Sequence, residues 1–223
     1  MALNVLVIGA SRGIGLELVR QYREAGARVI ATARSDAGLA AVQALGAIPL
    51  RVDVANPASV SGLAWQLDGE KLDVALYVAG VMSRGDARMP PTQPDFDRVM
   101  HTNVLGAMQV IPQVAPLVEE AHGRFALISS EMGHIAGVPS SYSWTYRVSK
   151  AALNMAVAAA RFDYPRATMV ALSPGWVQTD MGGSNAPLTV QDSVAAMRHT
   201  VAGLTPADSG GFFMQDGRPF AGW

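Results

Sequence analysis

The chain has no cysteine and little charge, and both shortages limit what it can do. Without cysteine, disulfides and thiol chemistry are excluded, and a cytoplasmic location, which we expect, is permitted. Charged residues make up 16% of the chain and the formal net charge is −1, so we expect neither nucleic acid nor an anionic membrane as a partner. The 4 histidines are scattered without metal-ligand spacing, and we expect no metal site.

Long apolar runs are also missing. The first segment, MALNVLVIGA, is apolar but has no basic leader, so it predicts a buried strand rather than a signal peptide. No uninterrupted apolar stretch reaches the length of a membrane span. Hydrophobic residues still make up 50% of the 223 positions, which indicates a compact globular protein, and we expect one domain over residues 1–223.

Strand-like and helical segments alternate along the chain, with no long linker or repeat. We predict strands at Asn4–Ile8, Arg28–Ala33, Ile48–Val52, Val74–Val78, Arg124–Ser129, Thr168–Leu172 and Phe212–Met214. We predict helices near 14–25, 37–45, 57–67, 95–119, 146–163 and 190–203. Asn56 before Pro57, and the segment TVQD at 189–192, are typical helix starts. The alternation predicts an α/β fold, a doubly wound Rossmann-type parallel sheet of about seven strands with helices on both faces. Its ligand crevice should open at the carboxyl ends of the strands.

The first predicted strand ends in GASRGIG, which places Gly9, Gly13 and Gly15 before a helix. Because glycine lacks a Cβ atom, this backbone can turn tightly and approach a pyrophosphate, whose charge the helix N-terminus attracts. An ordinary strand-to-helix turn is the alternative interpretation. The position after the first strand of a parallel sheet favours a dinucleotide site.

The end of the second predicted strand indicates which dinucleotide would bind. An NAD site usually offers the ribose 2′-hydroxyl a carboxylate there, but this chain has Ala33 and then Arg34. A guanidinium can bind a 2′-phosphate, and Arg12 in the glycine loop points to the same region. We therefore favour NADP(H), with Asp36 as an alternative acid if the strand is longer. Asp53, after the third strand, could accept a hydrogen bond from the adenine amino group, or it could cap a turn or helix.

The segment TYRVSK contains one of only two lysines, against fifteen arginines. Tyr146 and Lys150 are four positions apart, so on a helix both side chains lie on one face, one turn apart. A surface pair without function is the alternative, and the motif needs its structural context to be informative.

In the order and spacing of its motifs the chain resembles the short-chain dehydrogenase/reductase family over nearly its full length. The matching elements are Gly9-x-x-x-Gly13-x-Gly15, Asp53, Ala79–Gly80, Asn103 in HTNVLG, Ile128–Ser130, Tyr146-x-x-x-Lys150 and Pro174 to Thr179. The segments YRVSKAALNMA, SPGWVQTDMGG, APLT and GGFFMQDGRPFAGW are similar to those of sniffer-type carbonyl reductases and C-factor-like proteins.

The resemblance implies hydride transfer from NADPH to the carbonyl of a ketone, aldehyde or quinone. Tyr146 would protonate the substrate oxygen, and Lys150, with the oxidised nicotinamide, would lower the phenol pKa. Ser130 would hold the substrate oxygen, while Ser129 should point to the opposite face of its strand. Asn103 would help to hold a relay water. The implied cofactor-binding residues are Gly9, Ser11, Arg12, Gly13, Ile14, Gly15, Arg34, Asp53, Val54, Ala79, Gly80, Tyr146, Lys150, Pro174, Gly175, Val177 and Thr179.

The family also implies partners and alternatives. Helices 95–119 and 146–163 would pair between subunits in a homodimer or homotetramer, and the other partner is a small carbonyl substrate. An NADP(H)-binding signalling or regulatory protein of C-factor type is the main alternative, although pure binding would not need the whole Ser, Tyr, Lys and Asn set. An epimerase or dehydratase is a third reading, but G-x-x-G-x-x-G and a longer substrate domain are absent.

Two departures from the family pattern carry expectations of their own. The usual NNAG after the fourth strand is YVAG here, at 77–80, so the hydrogen bonds that brace the sheet should differ. Ser130 and Tyr146 are 16 positions apart, a few more than is common, so the loop between them should be extended.

Overall fold

The computed structural model describes residues 2–223, and its strands form one parallel sheet. The strands are β1 (Asn4–Ile8), β2 (Arg28–Ala33), β3 (Ile48–Arg51), β4 (Val74–Tyr77), β5 (Arg124–Ile128), β6 (Thr168–Ser173) and β7 (Phe212–Met214). They lie in the order β3-β2-β1-β4-β5-β6-β7, and every neighbouring pair is parallel. The predicted doubly wound sheet is confirmed, and no strand end differs from its prediction by more than one residue.

Helices cover both faces of this sheet. They are α1 (Gly13–Glu24), α2 (Asp36–Ala44), α3 (Pro57–Val60), α4 (Leu63–Gln66), α5 (Gln93–Met100), α6 (Gly106–Glu120), α7 (Trp144–Ala160) and α8 (Val190–Gly203). Both predicted helix starts are confirmed: Asn56 Oδ1 accepts a hydrogen bond from Ala58 N at 3.1 Å, and Thr189 Oγ1 accepts one from Asp192 N at 3.0 Å. These bonds pair N–H groups that a helix start leaves without an intrahelical acceptor.

Two predicted helices are interrupted. The segment 57–67 forms two short helices, because Gly62 between them adopts φ −93° and ψ 3°, and glycine costs about 1 kcal/mol in a helix interior. The segment 95–119 begins earlier, at Gln93, and contains a π-helical turn at His101–Leu105 between α5 and α6. The apolar periodicity continues through that turn, so the sequence pattern does not reveal it.

The two faces of the sheet bury separate cores, and β1 shows how. Its residues alternate, with Leu6 and Ile8 in one core and Val5 and Val7 in the other, all with no exposed surface. Helices α4, α6 and α7 cover the first core, and α1 and α8 cover the second. Because strands buried on both faces leave only their ends accessible, a ligand must bind at an edge of the sheet.

The strand order locates that edge. From β1 the chain proceeds outward through β2 and β3, and then returns to β4 and proceeds the other way. In such sheets the crevice opens beyond the carboxyl ends of the strands where the direction reverses, here β1 and β4. Among residues 2–223, no helix is both long and apolar enough to cross a membrane.

Candidate active site

A cleft of about 770 Å³ opens at the predicted edge of the sheet. It is lined by the loops that follow β1 to β6, including fifteen of the predicted cofactor-binding residues. These are Gly9, Ser11, Arg12, Gly13, Ile14, Gly15, Arg34, Asp53, Val54, Ala79, Gly80, Tyr146, Lys150, Pro174 and Thr179. The fold therefore brings together segments that are up to about 170 positions apart in the chain.

The glycine loop is shaped by contacts that exclude larger residues. Gly9 has φ +90°, and a Cβ there would lie 2.6 Å from Ala79 N. A Cβ on Gly15 would lie 2.2 Å from the Gly9 carbonyl oxygen, so the first turn of α1 packs directly on the loop. Gly9 N donates a hydrogen bond to Thr32 Oγ1 at 3.1 Å, which ties the loop to β2. The result is a narrow backbone cradle at a helix N-terminus, the shape that a pyrophosphate requires.

The end of β2 presents a cation to the cleft rather than an acid. Arg34 lines the cleft, and among residues 2–223 no carboxylate lies within 4.0 Å of its guanidinium. Asp36, the alternative acid, is 94% exposed, pairs with Arg51 and is the first residue of α2. Arg12 pairs with Asp180 at 2.9 Å, and both side chains are 77% exposed. The charges at this end of the cleft thus suit a 2′-phosphate better than a free 2′-hydroxyl.

Asp53 has the turn role that was one of its two predicted alternatives, and it also lies where the other, adenine binding, would require it. It lines the cleft, and its Oδ1 accepts a hydrogen bond from Ala55 N at 3.1 Å, as in a turn aspartate. Its backbone N donates to Ser59 Oγ at 2.9 Å, which fixes the residue at the end of β3. The carboxylate is therefore held in place by the turn while it faces the cleft.

Helix α2 also contributes to the cleft, and sequence reasoning missed it. Ser35, Ala37 and Gly38 line the cleft, and Ser35 Oγ accepts a hydrogen bond from Gly38 N at 3.3 Å. A Cβ on Gly38 would lie 2.9 Å from the Cβ atoms of Ser11 and Ala33. The segment RSDAG, in which a serine precedes a helix and a glycine lies in its first turn, is the sequence signal for this part of the cleft.

Tyr146 and Lys150 lie on the first turns of α7, at the floor of the cleft. They are 6% and 3% exposed, and Lys150 Nζ lies 5.6 Å from the centre of the Tyr146 ring. Lys150 Nζ donates a hydrogen bond to the Ile128 carbonyl oxygen at 2.8 Å, its one acceptor among residues 2–223. Burial lowers the pKa of Lys150 to about 8. Two of the three ammonium N–H groups are left for a ligand.

The phenol pKa of the protein without cofactor is set by burial. Burial raises the pKa of Tyr146 to about 12, and the hydrogen bond with the Ser130 side chain opposes this only in part. The phenol is therefore fully protonated at neutral pH. The expected lowering involves Lys150 together with the oxidised nicotinamide, and it stays a prediction for the protein with cofactor bound.

The two serines after β5 make different contacts. Ser129 is buried, and its Oγ donates to Asn154 Oδ1 at 2.5 Å. Ser130 Oγ accepts a hydrogen bond from Met132 N at 3.1 Å and interacts with Tyr146. Ser129 is among the residues that line the cleft and Ser130 is not, so the role of Ser130 stays a prediction that rests on its contact with the phenol.

Asn103 lies in the π-helical turn with no exposed surface. Its Oδ1 accepts from Val81 N at 2.8 Å, and its Nδ2 donates to Val81 O at 2.8 Å and to Ser149 Oγ at 2.9 Å. The side chain is thus engaged with protein and joins the loop after β4 to α7. The role of this position in holding a relay water, which the family implies, stays a prediction.

Tyr77 begins the segment YVAG, which replaces the usual NNAG of the family, and its side chain makes a hydrogen bond of its own. The residue has no exposed surface, and its hydroxyl donates a hydrogen bond to Thr102 O at 2.7 Å, inside the π-helical turn. Burial raises the pKa of this phenol strongly. The lack of a Cβ at Gly106 makes space for this side chain, since a Cβ there would lie 2.8 Å from the Tyr77 hydroxyl. This hydrogen bond links β4 to the turn that carries Asn103.

The segment after β6 lines the cleft only in part. Pro174 and Thr179 line the cleft, whereas Gly175 and Val177 lie outside its lining in the described part of the chain. Gly175 has φ +76° and faces Leu188, and Val177 is 3% exposed and bridges to Leu188. Contacts of this segment with a cofactor stay a prediction.

The loop between Ser130 and α7 is hydrogen-bonded to residues near the end of the chain: Ala136 N donates to Trp223 O at 3.0 Å, and His134 Nε2 lies 3.1 Å from Ala221 O. Ser143, at the end of the loop, adopts φ +56° and donates its N–H to Gly85 O at 2.6 Å. The loop is thus tied to two other segments.

The sequence matches known proteins over most of its length. The family model described as short chain dehydrogenase matches residues 3–187. A dehydrogenase of Rhodococcus sp. that acts on 1-hydroxy-2-glutathionyl-2-methyl-3-butene is 33% identical over 96% of this chain and 97% of its own length. The C-signal protein of Myxococcus xanthus is 40% identical over 66% of this chain and 90% of its own length. The chain therefore belongs to the short-chain dehydrogenase family.

Solved structures agree with this assignment. The carbonyl reductase Sniffer of D. melanogaster superposes with a TM-score of 0.91 at 27% identity, with complete coverage of both chains. A carbonyl reductase of Pseudomonas aeruginosa PAO1 in complex with NADP superposes with a TM-score of 0.87 at 28% identity, again over both complete chains. The predicted similarity to sniffer-type and C-factor-like proteins is confirmed.

Proposed function

We propose that the chain is an NADPH-dependent carbonyl reductase that acts on ketones, aldehydes or quinones. One observation carries the proposal: a buried phenol and an ammonium group line the floor of a cleft shaped for a dinucleotide, and a serine hydroxyl contacts the phenol. A group that must donate a proton to a carbonyl oxygen has to hold that proton at working pH, and Tyr146 meets this condition. Release of the proton would depend on the positive charge of Lys150.

Tyr146 and Ser130 would have different roles at the substrate oxygen. Bound NADPH supplies a hydride to the carbonyl carbon, and the chain supplies the proton that the carbonyl oxygen needs. Tyr146 would donate this proton, and Ser130 would donate a hydrogen bond that holds the oxygen beside the phenol. The products are an alcohol and a phenolate on Tyr146.

Lys150 would act on that phenolate. Its two remaining N–H donors can bind the cofactor ribose and stabilise the negative charge that develops on Tyr146 after proton transfer. Phenolate formation in a buried site is costly, so the charge of Lys150 matters most in the transition state. Asn103 would support the relay that restores the proton by fixing the loop after β4 and α7 around the lysine.

NADPH rather than NADH is supported by Arg34 and Arg12 at the end of the cleft and by the NADP bound to the similar Pseudomonas reductase. Arg34→Ala should weaken NADPH binding by about tenfold, since a charge-assisted pair with a phosphate is lost, and should leave NADH binding unchanged. Isothermal titration with both cofactors measures this. An equal loss of affinity for both cofactors would show that Arg34 does not bind the 2′-phosphate.

The decisive experiment follows nicotinamide absorbance with NADPH and a panel of ketones, aldehydes and quinones. Tyr146→Phe should lower kcat at least about a thousandfold, because the general acid is lost, while NADPH binding persists. Tyr142→Phe is the matched control, since Tyr142 is 50% exposed in the neighbouring loop and should keep full activity. Equal rates for Tyr146→Phe and the unmodified protein would overturn the assignment of the acid.

A signalling function is the second candidate, supported by the 40% identity to the C-signal protein. The same experiment separates the two functions. If NADPH binds tightly and no carbonyl on the panel is reduced, the signalling function becomes the better reading. Reduction that depends on Tyr146 supports the enzyme.

We also propose a homodimer or homotetramer and a cytoplasmic location. Apolar side chains are exposed on α6 and α7, the helices through which the family pairs: Met108 is 54% exposed, Val148 51% and Met155 68%. The absence of cysteine permits the cytoplasm. Light scattering during gel filtration tests the assembly, and a monomer at micromolar concentration would refute it.

A further inference from the structure

The cleft continues into a second lobe on the side of the loop after β4. This lobe has a volume of about 600 Å³ and shares Gly80, Val81 and Met181 with the main cleft. The position that a Cβ on Gly80 would occupy is 3.5 Å from Lys150 Nζ. The lobe therefore begins beside the group that we place at the reaction centre, and a bound substrate can extend into it.

The lobe contains a cation that no protein carboxylate neutralises. Three arginines and two aspartates line it. Arg12 pairs with Asp180 at 2.9 Å, and Arg98 pairs with Asp95 at 2.6 Å. Among residues 2–223, no carboxylate lies within 4.0 Å of the third arginine, Arg84. The lobe therefore has one guanidinium available to an anionic ligand.

The segment that carries Arg84 is anchored to the site at both ends. On one side, Val81 N and O are both hydrogen-bonded to the buried side chain of Asn103, each at 2.8 Å. On the other side, Gly85 O accepts a hydrogen bond from Ser143 N at 2.6 Å, just before α7 begins. The same helix carries Tyr146, so the backbone of Arg84 is held at a set position relative to the reacting group.

The lobe also has apolar lining residues. Met82 lies in the lobe alone, and Met181 lies in the wall that the lobe shares with the main cleft. Methionine side chains adapt to different apolar shapes. The lobe thus suits a molecule with an apolar body and a negatively charged end.

We propose that this second lobe binds a carboxylate on the carbonyl substrate, with Arg84 as its partner. The inference rests on the proposed reductase function and specifies its substrate class, an aldehyde or ketone that also carries a carboxylate. The reacting carbonyl lies at Tyr146, the apolar body lies on the methionines, and the guanidinium of Arg84 donates to both carboxylate oxygens.

The test compares each acid with its uncharged methyl ester. The substrates are 4-formylbenzoate and the longer 4-formylcinnamate, with NADPH. Unmodified protein should give a kcat/KM about fivefold higher for an acid than for its ester, through a lower KM, as expected for a partly exposed ion pair. Raised salt should reduce this preference. Arg84→Met should remove it while the ester rates and the Kd of NADPH stay unchanged.

Arg88→Met is the matched control. Arg88 lies in the same loop outside the lobe, its side chain is 88% exposed, and it pairs with Asp86 at 2.6 Å. This variant should keep the full preference for acids. Loss of the preference in both variants would show that only the general charge of the loop matters, and the proposal would be wrong.

The remaining outcomes are also decisive. Equal kcat/KM values for acids and esters, or an acid preference that survives in Arg84→Met, would refute the proposal. A weaker Kd for NADPH in Arg84→Met would assign Arg84 to the cofactor and refute it too. If no aldehyde is reduced, the proposed function fails. Binding of the corresponding hydroxymethyl acid to the NADP-loaded protein then tests the carboxylate site of the lobe separately. Weaker binding to Arg84→Met than to unmodified protein would support the lobe, and equal binding would refute it.

Discussion

Replacement of Lys150 should change how the stability of the protein alone depends on pH. Lys150 is 3% exposed, and the Ile128 carbonyl is its one hydrogen-bond acceptor among residues 2–223. Burial lowers its pKa from 10.5 to about 8. The group whose charge we propose for the reaction is therefore held where that charge is costly, as is common at functional sites.

The sign of the effect follows from proton binding. Between pH 8 and 10.5 the unfolded chain keeps the lysine proton that the native protein has released, so stability rises with pH. The difference of 10.5 − 8 = 2.5 pKa units corresponds to about 3 kcal/mol of destabilisation below pH 8. Of this, about 2 kcal/mol should be regained between pH 7 and pH 10. Tyr22 and Tyr146, whose pKa values burial raises to about 12, act in the opposite direction only above pH 10.

The assay is urea unfolding at pH 7, 8, 9 and 10 without cofactor. The free energy of unfolding of the unmodified protein minus that of Lys150→Met should rise by about 2 kcal/mol over this range, because contributions common to both proteins cancel. Lys71→Met is the matched control, since Lys71 is 69% exposed, and its difference should stay constant. Parallel pH profiles for Lys150→Met and the unmodified protein would refute the reasoning.

Three further predictions concern the glycine loop and its surroundings. Asn103→Ala should lower the free energy of unfolding by about 1–3 kcal/mol, because it removes two hydrogen bonds to the partly buried backbone of Val81 and one to buried Ser149. An unchanged free energy in urea unfolding would contradict this. Gly9→Ala should weaken NADPH binding at least about tenfold in calorimetry, since the new Cβ would lie 2.6 Å from Ala79 N. An unchanged Kd would show that the loop can move to accept the Cβ. Asp180→Asn should tighten NADPH binding about twofold to fivefold, because Arg12 loses its carboxylate partner, and NADH binding should not change. Equal effects on the two cofactors would argue against a contact between Arg12 and the 2′-phosphate.

Much of the site could be read from the sequence because its motifs follow strands. The glycine loop, Asp53 and Ala79–Gly80 each come directly after a predicted strand, and parallel strands place such positions at one edge. Tyr146 and Lys150 were predictable for a similar local reason, since four positions on a helix put both side chains on one face. In these cases the contact depends on geometry that repeats within one element.

Other features depend on packing between distant segments, and no local pattern encodes them. The π-helical turn at His101–Leu105 continues the apolar pattern of the helix, so only the contacts of Asn103 and Tyr77 with other segments reveal its role. The phenol pKa also depends on packing. In the protein without cofactor, the buried floor of the cleft raises the pKa of Tyr146.

The sequence by itself determined the class of fold, the edge of the sheet where a ligand binds and the residue types that meet there. Hydrophobic periodicity and glycine spacing are local properties, and they suffice for those conclusions. Only the tertiary structure decided the protonation of Tyr146, the bracing role of the Asn103 side chain and the availability of Arg84. Each depends on how much water and which charges surround a side chain, and these are set by segments that are distant in the chain.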